Sequence, residues 1–305
     1  MIPIALTIAA ATAVGFGVEH RWGEERSRRA AKLVIRFMLW VMLPPVVFVN
    51  LARLDPSAGV AAGIGFGFAA LGTALALAYV IGTRVLHLPR PSVGALMLAS
   101  GFANTGYLGL PLTAALFGSD EIANAIVYDL FITTLAIFTI GFSIGAAFGT
   151  VATHTRERVR VFFSRNPALW ACAAGLLAPA SLAPDWAFDA SHVVVYGLLP
   201  LGFFVVGVTL ANEAEEGVLR FPPPVTPPVA VALGLKLLVV PAVVLVLSEL
   251  IIDVPDSFPV QAAMASAINS IVIGHEYGLD SGLIASAIAW STAIVVAAGL
   301  IAALV

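Results

Sequence analysis

Long apolar runs alternate with short polar breaks along the chain. The runs lie at about 2–18, 33–51, 58–83, 92–117, 122–148, 167–181, 190–211, 228–251, 258–274 and 282–304. A bilayer core accommodates roughly 20 apolar residues of helix, and most runs come near that length. Backbone polar groups in lipid must be paired within a helix or a closed barrel. The runs are too long and too uniformly apolar for barrel strands. The pattern therefore predicts ten membrane-spanning helices.

Composition agrees and excludes a soluble enzyme. Of 305 residues, 60% are hydrophobic and only 11% are charged, where soluble domains carry about 25%. Ten spans with short loops use nearly the whole length, which leaves no room for a soluble domain. The apolar stretch from Met1 to Val18 has its basic cluster after it instead of before it. It reads as a retained first span rather than a signal peptide. The single cysteine, Cys172, lies in an apolar run and reads as a small buried side chain. One cysteine forms no internal disulfide and no paired metal or redox site.

The positions of the charges add orientation. The breaks at 19–32, 84–90, 149–166 and 212–227 hold Arg21, Arg26, Arg28, Arg29, Lys32, Arg84, Arg90, Arg156, Arg158, Arg160, Arg165 and Arg220. The alternate breaks hold only Arg53 among basic residues, with Asp55, Asp120, Glu121, Asp185, Asp189, Asp253 and Asp256. The positive-inside rule makes the basic breaks cytoplasmic. A multi-pass protein of the cell (inner) membrane follows, with both termini outside.

The cytoplasmic loop 149–166 divides the chain into residues 1–148 and 167–305, with five spans each. An odd number per half makes equivalent spans cross in opposite directions, which is the arithmetic of an inverted repeat. Short matches recur in the same order. Leu43-Pro44-Pro45 in span 2 resembles Leu199-Pro200-Leu201 in span 7. Ala103-Asn104-Thr105 with Gly109 in span 4 matches Ile268-Asn269-Ser270 with Gly274 in span 9. Tyr128-Asp129 in span 5 aligns with Trp290-Ser291 in span 10.

Candidate chemistry concentrates in Gly101-Phe102-Ala103-Asn104-Thr105-Gly106-Tyr107-Leu108-Gly109-Leu110-Pro111. Glycines and a proline in mid-span favour a broken helix, with half-helix ends at the midplane. Asn104 offers both a donor and an acceptor there. The alternative is a Gly-rich packing face with an interhelical Asn bond. Asn269 at the equivalent place, with Ser266 and Ser270 nearby, favours the ligand site. Gly109, Pro111 and Gly274 are the expected break residues. Asp129 is a carboxylate within a span. It either carries a coupling proton or is a hydrogen-bonded structural group. Lys236 either snorkels to the cytoplasm or pairs with the transport site, and Arg36 reads as snorkelling. His275-Glu276 reads as a solvated helix end, with a proton relay as the alternative. Thr133, Thr134, Ser291 and Thr292 are expected to bond their own helix carbonyls. The proline-rich segment from Phe221 reads as a stiff linker. No phosphate-binding loop, metal cluster or nucleophile elbow occurs, so no cofactor, metal or nucleic acid is expected.

These residues resemble the auxin efflux carrier family of plant exporters and bacterial organic-acid permeases. The resemblance rests on Asn104 through Pro111 and on Leu43-Pro44-Pro45. Leu199-Pro200-Leu201 through Gly207, Lys236 through Pro241, and Asn269-Ser270 with Glu276-Tyr277-Gly278 extend it over nearly the whole chain. It implies an all-α fold of ten transmembrane helices in two inverted five-helix repeats, like bile-acid/sodium symporters and related antiporters (NhaA-like), with broken helices 4 and 9 crossing. It further implies a dimerising scaffold of spans 1, 2, 6 and 7. Spans 3–5 and 8–10 would form a body that moves as an elevator, with Asn104 and Asn269 contacting a substrate carboxylate.

The expected function is secondary transport of a small carboxylate-bearing anion, with Asn104, Thr105, Gly106, Asn269 and Ser270 at the binding site. Asp129, Lys236 and His275 are the candidates for proton or ion coupling, with H+ or Na+ as the ion. A sodium-coupled symporter or cation/proton antiporter of the same fold is the nearest rival. A non-transporting membrane sensor is a more distant one, and no catalytic cluster suggests a membrane enzyme.

Overall fold

A computed structural model of the chain describes residues 2–54, 57–118, 120–150, 167–215 and 222–302. The basic residues Arg156, Arg158, Arg160, Arg165 and Arg220, and Asp55 opposite them, lie outside the described residues. So does nearly all of the loop 149–166.

Among the described residues the fold is helical throughout, with one isolated antiparallel bridge and no strand. The helices are α1 (Ile2–Trp22), α2 (Glu24–Ala52), α3 (Ala58–Val85), α4 (Arg90–Gly101), α5 (Thr105–Phe117) and α6 (Ile122–Phe148). They continue with α7 (Pro167–Leu177), α8 (Asp185–Glu215), α9 (Pro227–Leu250), α10 (Ser257–Ala262), α11 (Asn269–Tyr277) and α12 (Ser281–Ala302). Six of these, α2, α3, α6, α8, α9 and α12, are long and apolar enough to cross a membrane. The run at 92–117 divides into α4 and α5, and the run at 258–274 into α10 and α11.

Local chemistry sets several boundaries. Gly23, at φ 77°, separates α1 from α2 in a conformation that L side chains resist. Helix α2 begins nine residues before the expected 33, because Glu24 and Glu25 open it and pair with Arg28 and Arg29 one turn on. Proline leaves a mark further along. A proline N–H is missing, so an upstream carbonyl loses its helical partner. Ahead of Pro44, Pro111 and Pro241 the helix widens by one residue, and Leu43, Leu110 and Val240 donate to Met38, Thr105 and Leu235. These are π-turns, the usual form of a one-residue insertion.

Two packing patterns position the site. Helix α1 lies along α8, and α7 along α2. At the first contact small residues let backbones touch. A Cβ on Gly15 would sit 2.2 Å from Phe204 O, and one on Gly207 would sit 2.2 Å from Thr12 O. This is close small-residue packing of the kind that joins helices in lipid. The second is the cluster formed by α3, α4, α9, α11 and α12, whose shared core includes Leu71, Leu98, Phe102, Ala265, Ile284 and Tyr277.

Replacing Gly207 with leucine forces α1 and α8 apart. It is expected to destabilise the purified protein by about 1–3 kcal/mol. Gly17→Leu, at a position with open space around it, is expected to leave the melting temperature unchanged. Equal melting of the two variants would show that the close approach does not hold the pair.

Candidate functional site

The two interrupted helices meet at their breaks. Phe102–Asn104 runs extended and antiparallel to Ala265–Ala267, with Ala103 opposite Ser266. Asn104 N–H donates to Ala265 O at 2.7 Å, and Ala267 N–H donates to Phe102 O at 2.9 Å. These bonds satisfy groups that a helix break strands in an apolar interior, where each unpaired group costs several kcal/mol.

The remaining C-terminal ends are closed by side chains. Ser266 Oγ donates to Ala99 O at 2.7 Å, and Ser270 Oγ donates to Leu98 O at 3.4 Å. Ser266 N–H donates to Ser291 Oγ at 3.0 Å. Lys236 Nζ donates to Ala262 O at 2.8 Å. That ammonium is fully buried, so Lys236 does not snorkel. Its partner is the last carbonyl of α10, the negative end of a half-helix, where a cation is favoured.

The N-terminal ends are not closed in this way. The first backbone bond of α5 runs from Gly109 N–H to Asn104 O at 3.1 Å. The N–H groups of Thr105 through Leu108 therefore have no helical partner. A helix start carries partial positive charge and suits an anion. At the start of α11, Ser270 and Ile271 donate back to Ala267 and Ile268, so this end is tighter.

A cavity of about 250 Å³ lies against these starts. Asn104, Thr105, Gly106 and Asn269 line it. So do Asp129, Thr133 and Thr134 of α6. No hydrogen bond joins the side-chain amide of Asn104 or Asn269 to another described residue. Asp129 accepts a hydrogen bond from Thr105 Oγ1, which ties α6 to the break. Apart from Tyr107, the rest of the described wall is apolar, with Ile35, Leu39 and Leu43 of α2, Phe138 and Phe142 of α6, and Val272 of α11 among it. Among the described residues no lysine, arginine or histidine lines the cavity. A second cavity, about 10 Å³, lies between Lys236, Tyr128, Thr133 and Ala103. It is at the limit for one water molecule.

The other expected residues fall elsewhere. Ser270 is fully buried and bonded within the crossing, away from the cavity. Gly109 and Pro111 lie inside α5 and Gly274 inside α11, while the interruptions fall at 102–104 and 263–268. Gly109 instead makes room for Gln261, whose Oε1 would meet a Cβ there at 2.0 Å. His275 is exposed and outside the cavity. Thr133 and Thr134 face the cavity in place of the helix-carbonyl bonds expected of them, whereas Ser291 does bond Ala287 O at 2.6 Å. Cys172 is buried.

A family model described as "Membrane transport protein" matches residues 2–162 and 190–301. The chain belongs to this family. It is the auxin efflux carrier family that the residues of span 4 resemble. An uncharacterized transporter of Methanocaldococcus jannaschii is 25% identical over 280 residues, covering 85% of this chain and 84% of the relative. An uncharacterized transporter of Methanothermobacter thermautotrophicus is 28% identical over 280 residues, covering 88% and 86%. The chain is a multi-pass membrane protein of a transporter family.

The crossing makes a prediction about stability. Lys236→Met removes a charge-assisted bond and strands the Ala262 carbonyl. The expected loss is about 1.5–3 kcal/mol in denaturant unfolding. Unchanged unfolding would mean that this bond does not hold the second break.

Proposed function

We propose that the protein is a secondary transporter of a small organic anion, with the carboxylate held at the crossing by Asn104 and Asn269. One observation carries this reading. Two asparagine amides with no hydrogen-bond partner among the described residues face one cavity, beside half-helix starts whose N–H groups favour anions. The wall supports a monocarboxylate with an apolar body. A dicarboxylate would bring a second charge to a cavity whose described lining has no cation to meet it and already contains Asp129.

In this reading the two broken helices are spans 4 and 9 of a ten-span inverted repeat. Spans 1, 2, 6 and 7 form a scaffold that pairs with a second copy, and spans 3–5 and 8–10 carry the site past it. The basic ends of the spans face the cytoplasm and both termini face outward. Binding an anion beside Asp129 places two like charges in one low-dielectric cavity, which couples substrate binding to a proton. Lys236 occupies the negative half-helix end that a metal cation would otherwise fill, and the adjoining cavity has no room for a second ion. This favours sodium-independent transport over the symporter and antiporter alternatives.

In proteoliposomes, Asn104→Ala and Asn269→Ala are each expected to lower carboxylate flux by about 10- to 100-fold, the loss of one charge-assisted bond, without changing the melting temperature. Unchanged flux would remove the crossing as the binding site. Asp129→Asn is expected to flatten the pH dependence of flux at constant sodium. A pH profile identical to that of the parent protein would exclude Asp129 from coupling.

A further inference from the structure

The exposed face of α2 bears a charge pattern that transport does not use. The helix has 29 residues, about 43 Å at 1.5 Å per residue. That exceeds a hydrocarbon core of about 30 Å, so the excess enters a headgroup layer. Arg26, Leu33, Arg36, Phe37 and Trp40 follow one another at helical spacing along one face, and all are exposed. Leu33 is 67%, Phe37 49% and Trp40 50% exposed. Lys32 borders the same stripe. The stripe thus passes from cations to apolar and aromatic side chains over about four turns. A lipid makes the same passage from headgroup to acyl chain.

Charge bookkeeping sharpens this. Arg28 pairs with Glu24 and Arg29 with Glu25. Arg26, Lys32 and Arg36 form no ion pair with any described residue. Among the described residues the acidic groups near this end are Glu19, Glu24, Glu25 and Glu215. Glu24 and Glu25 are engaged, and Glu19 is buried against α8 beside Glu215. No ion pair among the described residues joins any of them to Arg26, Lys32 or Arg36. The opposite side of α2 is fully committed. Ser27, Ala31 and Met38 are buried, and Ile35, Leu39 and Leu43 form one wall of the cavity.

We infer that this face is a binding site for an anionic phospholipid. Arg26, Lys32 and Arg36 hold the phosphate headgroup, and Leu33, Phe37 and Trp40 lie along an acyl chain. Clustered basic residues at the end of a span attract anionic lipid in proportion to their number, and tryptophan favours the interface. Because the same helix forms a wall of the cavity, the bound lipid fixes the depth at which that wall stands. The inference rests on the bilayer placement of α2 and not on the crossing as the anion site.

The test is native mass spectrometry of the full chain in detergent, titrated separately with phosphatidylglycerol, phosphatidylcholine and inorganic phosphate, alongside melting temperatures. Phosphatidylglycerol is expected to stay bound and raise the melting temperature, whereas the other two do neither. The triple variant Arg26→Gln, Lys32→Gln, Arg36→Gln is expected to lose at least about tenfold in phosphatidylglycerol affinity. Its melting temperature without lipid and its flux in phosphatidylcholine liposomes should not change. Arg28→Gln, which removes a cation already paired in the protein, is expected to have a smaller effect. Equal phosphatidylglycerol retention by the parent and the triple variant would overturn the inference. So would equal retention of phosphatidylcholine, or a change of oligomeric state in the variant without loss of lipid, which would make this face an interface between copies. Loss of flux in Asn104→Ala leaves this site untouched, so the two readings fail separately.

Discussion

Two backbone hydrogen bonds between broken helices organise this protein. The bonds from Asn104 N–H to Ala265 O and from Ala267 N–H to Phe102 O let two interrupted helices meet at their breaks in an apolar interior. In that setting an unpaired amide or carbonyl costs several kcal/mol. The rest of the site is arranged around them. Ser266, Ser270, Ser291 and Lys236 close the carbonyls and amides that the pairing does not reach. Once these are closed, the groups still open among the described residues include the N–H end of α5, the amides of Asn104 and Asn269, and the buried Gln261 Oε1. The α5 end and the two asparagines face the cavity of about 250 Å³.

This division has a chemical consequence. Carbonyl ends attract cations, and here the α10 end is closed from within by a lysine. Amide ends attract anions, and here they remain open. A single fold can offer either kind of end to a ligand. In this chain the side chains of Lys236, Asn104 and Asn269 decide which one is offered. Asp129, held by Thr105, adds a carboxylate to the cavity, and in the proposed reading this suits a single negative charge and one proton instead of a strongly charged ligand.

Much of this was legible in the sequence, for a physical reason. Each of the six long helices contains a long, mostly apolar run, and lipid permits little else for such runs. Gly101 through Pro111 announced the first break, although it falls a turn before Gly109 and Pro111. The π-turn ahead of Pro111, with Leu110 N–H donating to Thr105 O, accommodates the proline, so Pro111 lies within the second half instead of ending the first. The second break, Ala263-Met264-Ala265-Ser266-Ala267-Ile268, contains no glycine or proline. It is held open by tertiary bonds from Lys236, Ser291 and the first break, and sequence pattern does not register such bonds. The burial of Lys236 was hidden for the same reason. Ile35, Leu39, Phe138, Phe142 and Val272 carry no signal that separates a cavity wall from a lipid-facing surface. The asparagines were legible because a polar side chain in an apolar run requires a partner.

The central claim is that a carboxylate is the missing partner of both asparagines. The most direct measurement is an experimental structure of the full chain in a lipid nanodisc with the monocarboxylate that raises its melting temperature most. The account predicts the carboxylate oxygens within about 2.7–3.2 Å of the Asn104 and Asn269 side-chain amides, with Lys236 still on the Ala262 carbonyl. A carboxylate bound to Lys236, or a ligand seated away from the crossing with both amides vacant, would contradict it.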